Sequence, residues 1–418
     1  MANFFAILWF GISLYVSSTW VKELSCGVGV FPAWLAVTFI ALVPGYLSMF
    51  LLCSLLLDRP PRLHRHGGQP PVSLIMAAYN EEKRIGQTLR SIRQQDYRGV
   101  VEIIVVDDGS TDGTADAVER EASANLKLIR AGHGGKAAAL NRALRESSHE
   151  YIISIDADTL LHPQAVSRIM ARMAGDPPHT AAVAGCILVK NSRQSLMTRL
   201  QEWDYFLAIA SVKRQQALYQ GTLVAQGAFS VYRAVVLRQL NGWPGSVGED
   251  IVLTWAMLKA GYRVGFEPTA VAFTEVPATY AGFARQRKRW ARGMIEGFKA
   301  HRDLLRKKPS PASILVAMDL LFPGIDFAFT FVYIPGIILA LTGRFWLAGA
   351  MTLAVLPITL LISHVMYRYQ RRVFSELGLR IRRNGLGFVL YILIYQILMA
   401  PACVIGYWEE ITGSAKTW

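Results

Sequence analysis

The sequence predicts a cytosolic α/β nucleotide-binding domain inserted between transmembrane α-helices, two ahead of it and about three behind it. Three observations predict this architecture. Long uncharged apolar blocks stand toward both ends of the 418-residue chain. Between them short β-rich runs alternate with amphipathic stretches. Acidic pairs fall where those runs end, which is where ligands collect in open α/β sheets.

The apolar blocks come first in the chain. A hydrophobic content of 52% and a mean hydropathy of +0.29 are too apolar for an ordinary soluble enzyme. Residues 3 to 21 and 24 to 57 carry no formal charge, and each is long enough to cross about 30 Å of hydrocarbon as a helix. Three further spans are expected near 312–342, 345–366 and 385–408, the first interrupted by Pro323 and the acids Asp319 and Asp326. Residues 1 to 20 lack the charged leader and cleavage site of a signal peptide, so they read as a retained anchor.

Basic residues orient the spans, because Lys and Arg beside a span stay on the cytoplasmic side. Arg59, Arg62 and Arg65 follow the second span, Arg302, Arg306, Lys307 and Lys308 precede the third, and Arg368 to Arg383 link the fourth to the fifth. All three clusters therefore face the cytosol, with the N-terminus and residues 58 to 310, while the C-terminus faces outward. Much of the net charge of +14 sits in these clusters, so the expected partner is an anionic lipid bilayer and not nucleic acid. Cys26, Cys53, Cys186 and Cys403 have neither metal-ligand nor redox spacing. The expected divisions are 1–58 (two spans), 59–280 (the α/β domain), 281–311 (amphipathic, interfacial) and 312–418 (the remaining spans).

Within the central region strands are expected at Val72 to Ala78, Glu102 to Asp107, Leu126 to Ile129, Tyr151 to Ile155 and Ala181 to Leu188. Helices fill the gaps at Glu81 to Arg93, Thr114 to Ala122, Lys136 to Glu146 and Pro163 to Met173. The succession predicts a mostly parallel sheet.

Four signatures lie on this frame. Asp107-Asp108-Gly109 puts two carboxylates at a strand mouth, where a base and ribose would be gripped. Asp156-Ala157-Asp158 ends another strand with both acids on one side of an extended chain, suited to Mg²⁺ or Mn²⁺ bridging diphosphate oxygens, with Asp158 as the preferred ligand. Glu249-Asp250 follows a Gly/Pro-rich turn and opens a helix, placing Asp250 as a general base for an acceptor hydroxyl. Gln286, Arg289 and Trp290 fall at i, i+3 and i+4, so an amide, a guanidinium that can fork onto a diphosphate and a flat indole share one helical face. Arg285 to Arg292 as a whole read as a basic stretch facing a phosphate-rich donor. Gly132-His133-Gly134-Gly135-Lys136 opens a helix without P-loop spacing, and Lys136 reads as a phosphate or ribose contact. Each acid taken alone would also serve as a helix cap, and the basic helix as an interfacial anchor; the set and its order favour a site.

That set, with Ala78-Tyr79-Asn80-Glu81 ahead of it, resembles the processive, membrane-embedded, inverting glycosyltransferases of family 2, a group that makes cellulose, chitin, hyaluronan and poly-N-acetylglucosamine. Within it the spans and the Gln-Arg-Lys-Arg-Trp run look most like bacterial poly-β-1,6-N-acetylglucosamine synthases. The resemblance implies a GT-A fold in a bacterial inner membrane, a UDP-sugar donor and a growing polysaccharide acceptor. It implies that Asp108, with Asp107, contacts the uracil or ribose, that Asp158 binds the metal, that Asp250 is the base, and that Gln286, Arg289 and Trp290 line the donor and acceptor site. Gln226, Gly227, Phe229 and Ser230 would border the acceptor. A small membrane partner subunit is also implied, and residues 409–418 are expected to be a short tail and not a cyclic-dinucleotide domain. The alternatives are a related synthase with a hyaluronan, chitin-oligosaccharide or cellulose-like product, or a non-processive membrane transferase. Two positions depart from the family pattern: Ala77, where Pro is frequent, and Gly248, where Thr commonly precedes Glu-Asp.

Overall fold

The computed structural model describes residues 1–58, 69–219, 221–306, 310–345, 347 and 356–415. Two apolar helices, α1 (Ala2–Val28) and α2 (Val30–Leu57), lead into the α/β domain. There the chain alternates β1 (Val72–Ala78), α3 (Ile85–Arg93), β2 (Val101–Asp107), α4 (Thr114–Arg120), β3 (Leu126–Arg130), α5 (Lys136–Glu146), β4 (Tyr151–Ile155), β5 (Leu160–Leu161), α6 (Ala165–Gly175) and β6 (Thr180–Val189). A long helix, α7 (196–218), precedes β7 (Phe229–Arg233), α8 (Ala234–Gln239), α9 (Glu249–Lys259) and β8 (Arg263–Thr274). Helix α10 (Tyr280–Ala300) then leads to α11 (Pro311–Leu341), α12 (Leu356–Glu376) and α13 (Gly385–Ile411).

The eight strands form one sheet in the order β3-β2-β1-β4-β7-β6-β8-β5. Strands β1 to β4 are parallel, as their apolar runs predict, whereas β7 runs antiparallel between β4 and β6. The sheet is therefore mixed, and the expected mostly parallel sheet is corrected by β7 and the β5–β8 pair. Side chains alternate across it with period two. Leu74, Met76, Ile103 and Val105 pack with Ile85 and Leu89 of α3 and Ile169 and Met170 of α6 on one face. Ile75, Ile104 and Val106 pack with Leu140 and Leu144 of α5, Trp243 and Trp255 on the other. A buried aliphatic side chain contributes about 1.5–3 kcal/mol, so these two layers hold the strand ends, and the acids on them, in place.

Helix α3 starts at Ile85 and not at Glu81, because the preceding turn is tied to the loop after β2. The Glu81 amide donates to Thr114 Oγ1 (2.7 Å) and the Glu82 amide to Asp112 Oδ2 (3.3 Å).

Four helices among the described residues are long and apolar enough to cross a membrane: α1, α2, α11 and α13. Residues 346 and 348–355 of the expected fourth span, 345–366, lie outside the described residues, as do Arg59, Arg62, Arg65, Lys307 and Lys308. Helix α12 continues past that span to Glu376, and its Ile362, Met366 and Val373 pack with Leu51, Leu52 and Leu55 of α2 and with Phe206 of α7. The interrupting acid Asp326 is satisfied inside the helix bundle, accepting from Gln396 Nε2 (2.9 Å) and the Tyr407 hydroxyl (2.8 Å) of α13. Helix α10, expected as an interfacial element, lies along α13. A Cβ on Gly406 would come within 2.5 Å of the Lys288 carbonyl oxygen, so this glycine permits the approach.

Candidate active site

The site is assembled from the ends of β1, β2 and β4, the loop before β7, the first turns of α5 and α9, and the stretch 285–292 of α10. At the end of β2, Asp108 is only 3% exposed. Its carboxylate accepts from the amides of Gly134 and Gly135, each at 2.9 Å, and lies 2.9 Å from His133 Nδ1. Gly109 takes φ 74°, and a Cβ there would stand 2.8 Å from the His133 amide nitrogen, so the turn closes on the loop only with glycine. Asp108, expected to grip a base or ribose, thus uses its oxygens to hold the loop that opens α5. Asp107 is likewise turned inward, accepting from the Ser110 amide at 3.1 Å. The surface left open beside them is aromatic. Tyr79 and His133 stack obliquely with centroids 4.5 Å apart, and Tyr79 is exposed. The sequence contained this pair but its spacing of 54 positions offered no signal.

The loop delivers Lys136 to the centre of the site. Its Nζ lies 2.6 Å from Asp156 Oδ1 and 3.3 Å from Glu249 Oε1, joining the second and third signatures. Burial disfavours the ammonium, but Asp156, Glu249 and Asp250 outweigh it and raise its pKa. A Cβ on Gly227 would lie 2.7 Å from Lys136 Nζ, so Gly227 vacates the space the lysine occupies. Asp158, two residues on, is pushed up to about 6 by burial and by the carboxylates of Asp156 and Glu81, against the pull of Lys136 and Arg84. Two further carboxylates, Asp156 and Glu81, thus act on the buried Asp158. That is the environment a divalent cation fits, although no cluster of three His, Cys, Asp or Glu ligands occurs among the described residues.

Glu249 and Asp250 occupy the first turn of α9, where the helix dipole favours carboxylates. Burial raises the Glu249 pKa, Lys136 opposes the rise and Asp250 adds to it. Asp250 Oδ1 accepts from the Ile251 amide (2.9 Å). Thr254 ties Asp250 to the loop before β7: its hydroxyl donates to the Asp250 carbonyl (2.6 Å) and accepts from the Ala225 amide (2.9 Å). Half-buried Lys213, pushed down to about 8 by desolvation against the attraction of Asp250, donates to the Val224 carbonyl of the same loop. Of the residues expected to border an acceptor, Gln226 and Gly227 lie on this loop. Phe229 and Ser230 do not serve: both are fully buried in β7, opposite Ile155 and Ser154 of β4.

Gln286 and Arg289 of α10 line a cavity of about 620 Å³ together with Asp158, Arg84, Glu275 and Arg285. Gln286 Oε1 is buried with no hydrogen-bond partner, and Arg285 and Arg289 make no ion pair among the described residues. The expected basic face of 285–292 is thereby divided. Lys288 pairs with Glu409, Arg292 with Glu409 and Glu410, and Arg287 with Asp204. Trp290 stands outside the cavity lining, 36% exposed, against Tyr205. Arg84 and Glu275, bonded at 2.8 Å, are site residues that no motif announced.

A profile described as Glycosyl transferase family 2 matches residues 73–240. The chain is 32% identical over 356 residues to an N-acetylglucosaminyltransferase of Sinorhizobium fredii, covering 80% of this chain and 81% of that protein. It is 34% identical over 237 residues to an N-acetylglucosaminyltransferase of Azorhizobium caulinodans, covering 53% of this chain and 59% of that protein. Against a poly-β-1,6-N-acetyl-D-glucosamine synthase of Staphylococcus aureus the identity is 30% over 238 residues, 56% of either chain. The last two matches thus span less than two thirds of those relatives. In structure the fold is similar to a mannosyltransferase from Pyrobaculum calidifontis solved with GDP-Man and Mn²⁺, with a TM-score of 0.64, 22% identity, and coverage of 91% of this chain and 99% of that one. With its GT-A-type mixed sheet, its acidic signatures and the extent of the Sinorhizobium match, this chain belongs to glycosyl transferase family 2.

Proposed function

We propose that this chain is a membrane-embedded, inverting transferase that moves N-acetylglucosamine from UDP-N-acetylglucosamine onto the growing end of a β-linked polymer. The observation that carries the reading is the junction at Lys136, which ties Asp156 and Glu249 together beside the cavity shared by Asp158, Gln286 and Arg289. The names of the relatives support N-acetylglucosamine as the sugar, and the Staphylococcus relatives support a β-1,6 linkage.

In this mechanism Asp250 accepts the proton of the acceptor hydroxyl as the oxygen attacks the anomeric carbon from the face opposite the nucleotide. The bond from that carbon to the diphosphate oxygen breaks, its electron pair leaves with UDP, and the configuration inverts. Arg285 and Arg289 neutralise the departing diphosphate through forked hydrogen bonds. Mg²⁺ or Mn²⁺ at Asp158, when bound, supplies Lewis-acid stabilisation of that leaving group. Lys136 bridges the carboxylates of Asp156 and Glu249 beside it, Tyr79 and His133 offer a face to the base, and Trp290 offers one to the acceptor sugar. The α/β domain lies on the cytoplasmic side of a bacterial inner membrane, following the basic residues, and the polymer advances outward through the helices, with a small membrane subunit as partner.

Membranes carrying the full chain, incubated with Mn²⁺ and UDP-N-acetylglucosamine, UDP-glucose or UDP-glucuronate in turn, test this reading. Incorporation from UDP-N-acetylglucosamine alone, into a polymer cut by a β-1,6-specific hydrolase, is the expected result. Incorporation from another donor refutes the sugar, and a single added residue refutes processive synthesis.

A further inference from the structure

Arg287 lies one residue from Gln286 yet is 4% exposed and turned away from the cavity. Its Nη2 donates to Asp204 Oδ2 at 3.0 Å, and the same carboxylate oxygen accepts from the Tyr395 hydroxyl at 2.6 Å. Tyr395 belongs to α13, the last membrane helix, and Asp204 to α7. The guanidinium carbon stands 4.2 Å from the centre of the Trp290 ring, close enough for a cation–π contact.

A buried ion pair is weak grounds for stability, since well-packed apolar side chains often do as well. What singles this one out is where both of its ends lead. Asp204 opens a π-helical segment, Asp204–Ile209, a local widening of the helix that re-aims side chains and recurs at functional sites. The residue after it, Tyr205, is buried and packs on Trp290 with ring centroids 6.3 Å apart. Trp290 is thus held by the guanidinium that Asp204 anchors and by the next side chain of the same segment, while part of its surface stays open.

We propose that Tyr395, Asp204 and Arg287 form a positioning relay that sets the Trp290 indole, so that the last membrane helix fixes the platform on which the acceptor sugar rests. The inference depends on the reading of Trp290 as an acceptor contact. None of the three relay residues touches the reacting atoms; they act through Trp290.

The test uses the full chain in lipid, with Tyr395→Phe as the mildest break, Asp204→Asn and Arg287→Lys as stronger ones, and Tyr391→Phe as a control on the same helix. Initial rates are measured against N-acetylglucosamine oligosaccharide and against UDP-N-acetylglucosamine, and the Trp290 emission is read as the difference from a Trp290→Phe background. The expected result for Tyr395→Phe is an acceptor KM raised roughly five- to tenfold, the size of one net hydrogen bond. The donor KM stays within about twofold, since uniform binding of the donor is untouched, and the Trp290 emission shifts. Equal changes in both KM values, or an unshifted emission with an unchanged acceptor KM, overturn the relay. If the parent incorporates no N-acetylglucosamine the functional reading fails by itself, and the emission shift alone then decides the relay.

Discussion

Gly248 and Gly293 meet backbone to backbone: a Cβ built on Gly248 would lie 2.5 Å from the Gly293 Cα, and one built on Gly293 would lie 2.7 Å from the Gly248 Cα. This contact seats the turn that carries Glu249 and Asp250 directly on α10, and the Gly248 amide reinforces it by donating to Glu296 Oε2 at 2.9 Å. The departure from the family's usual Thr is thereby explained, since the residue before Glu249 has no room for a side chain here.

Gly248→Thr, although it restores the common family residue, is therefore expected to harm this protein. Overpacking of this kind costs about 1–3 kcal/mol, and the displaced base should lower the transfer rate by roughly 100-fold, as small misplacements of reacting groups do. Thermal unfolding together with initial rates checks it, and Gly293→Ala should behave alike.

Lys136→Met removes the cation that Asp156 and Glu249 share. Lys136 holds the Glu249 pKa down against burial, so without it Glu249 is protonated over a higher range of pH. The acidic limb of the rate profile should move upward in pH, with the maximal rate lower by roughly 100-fold. A pH–rate series on parent and variant reads both effects; a lower rate with an unmoved limb would contradict the assigned role.

Asp158, titrating at about 6, is a carboxylate above that pH and a neutral acid below it. A divalent cation competes with the proton, so apparent Mn²⁺ affinity should be strong at pH 7.5 and fall roughly tenfold per pH unit below 6. Calorimetric titration checks the slope, EDTA should abolish transfer at pH 7.5, and Asp158→Asn should remove the pH dependence with the binding.

Much of the fold was legible because strands such as Ile103 to Val106 are continuous apolar runs bounded by turn residues, the pattern of a buried parallel sheet. Strand β8 was not. It contains Glu267 and Pro268, and Pro argues against a strand interior; the structure accommodates it where the register slips between Gly185↔Glu267 and Cys186↔Val271. Helical spacing put Gln286, Arg289 and Trp290 on one face; Gln286 and Arg289 line one cavity, and Trp290 stands outside its lining. The spacing carried no sign that Arg287 is sequestered, because its partners Asp204 and Tyr395 are 83 and 108 positions away and only the packing of α7 and α13 brings them together. Asp108 shows the converse, a motif acid whose place was legible but whose oxygens serve the loop at Gly134 and Gly135.

The most direct test compares the full chain with Asp250→Asn in the same membranes, measuring transfer from radiolabelled UDP-N-acetylglucosamine and, separately, UDP affinity. Transfer lost by at least about 100-fold, the usual contribution of a general base, with UDP affinity within about twofold, is the expected result. Transfer that survives the substitution, or a UDP affinity that collapses with it, would contradict Asp250 as the base and with it the arrangement around Lys136.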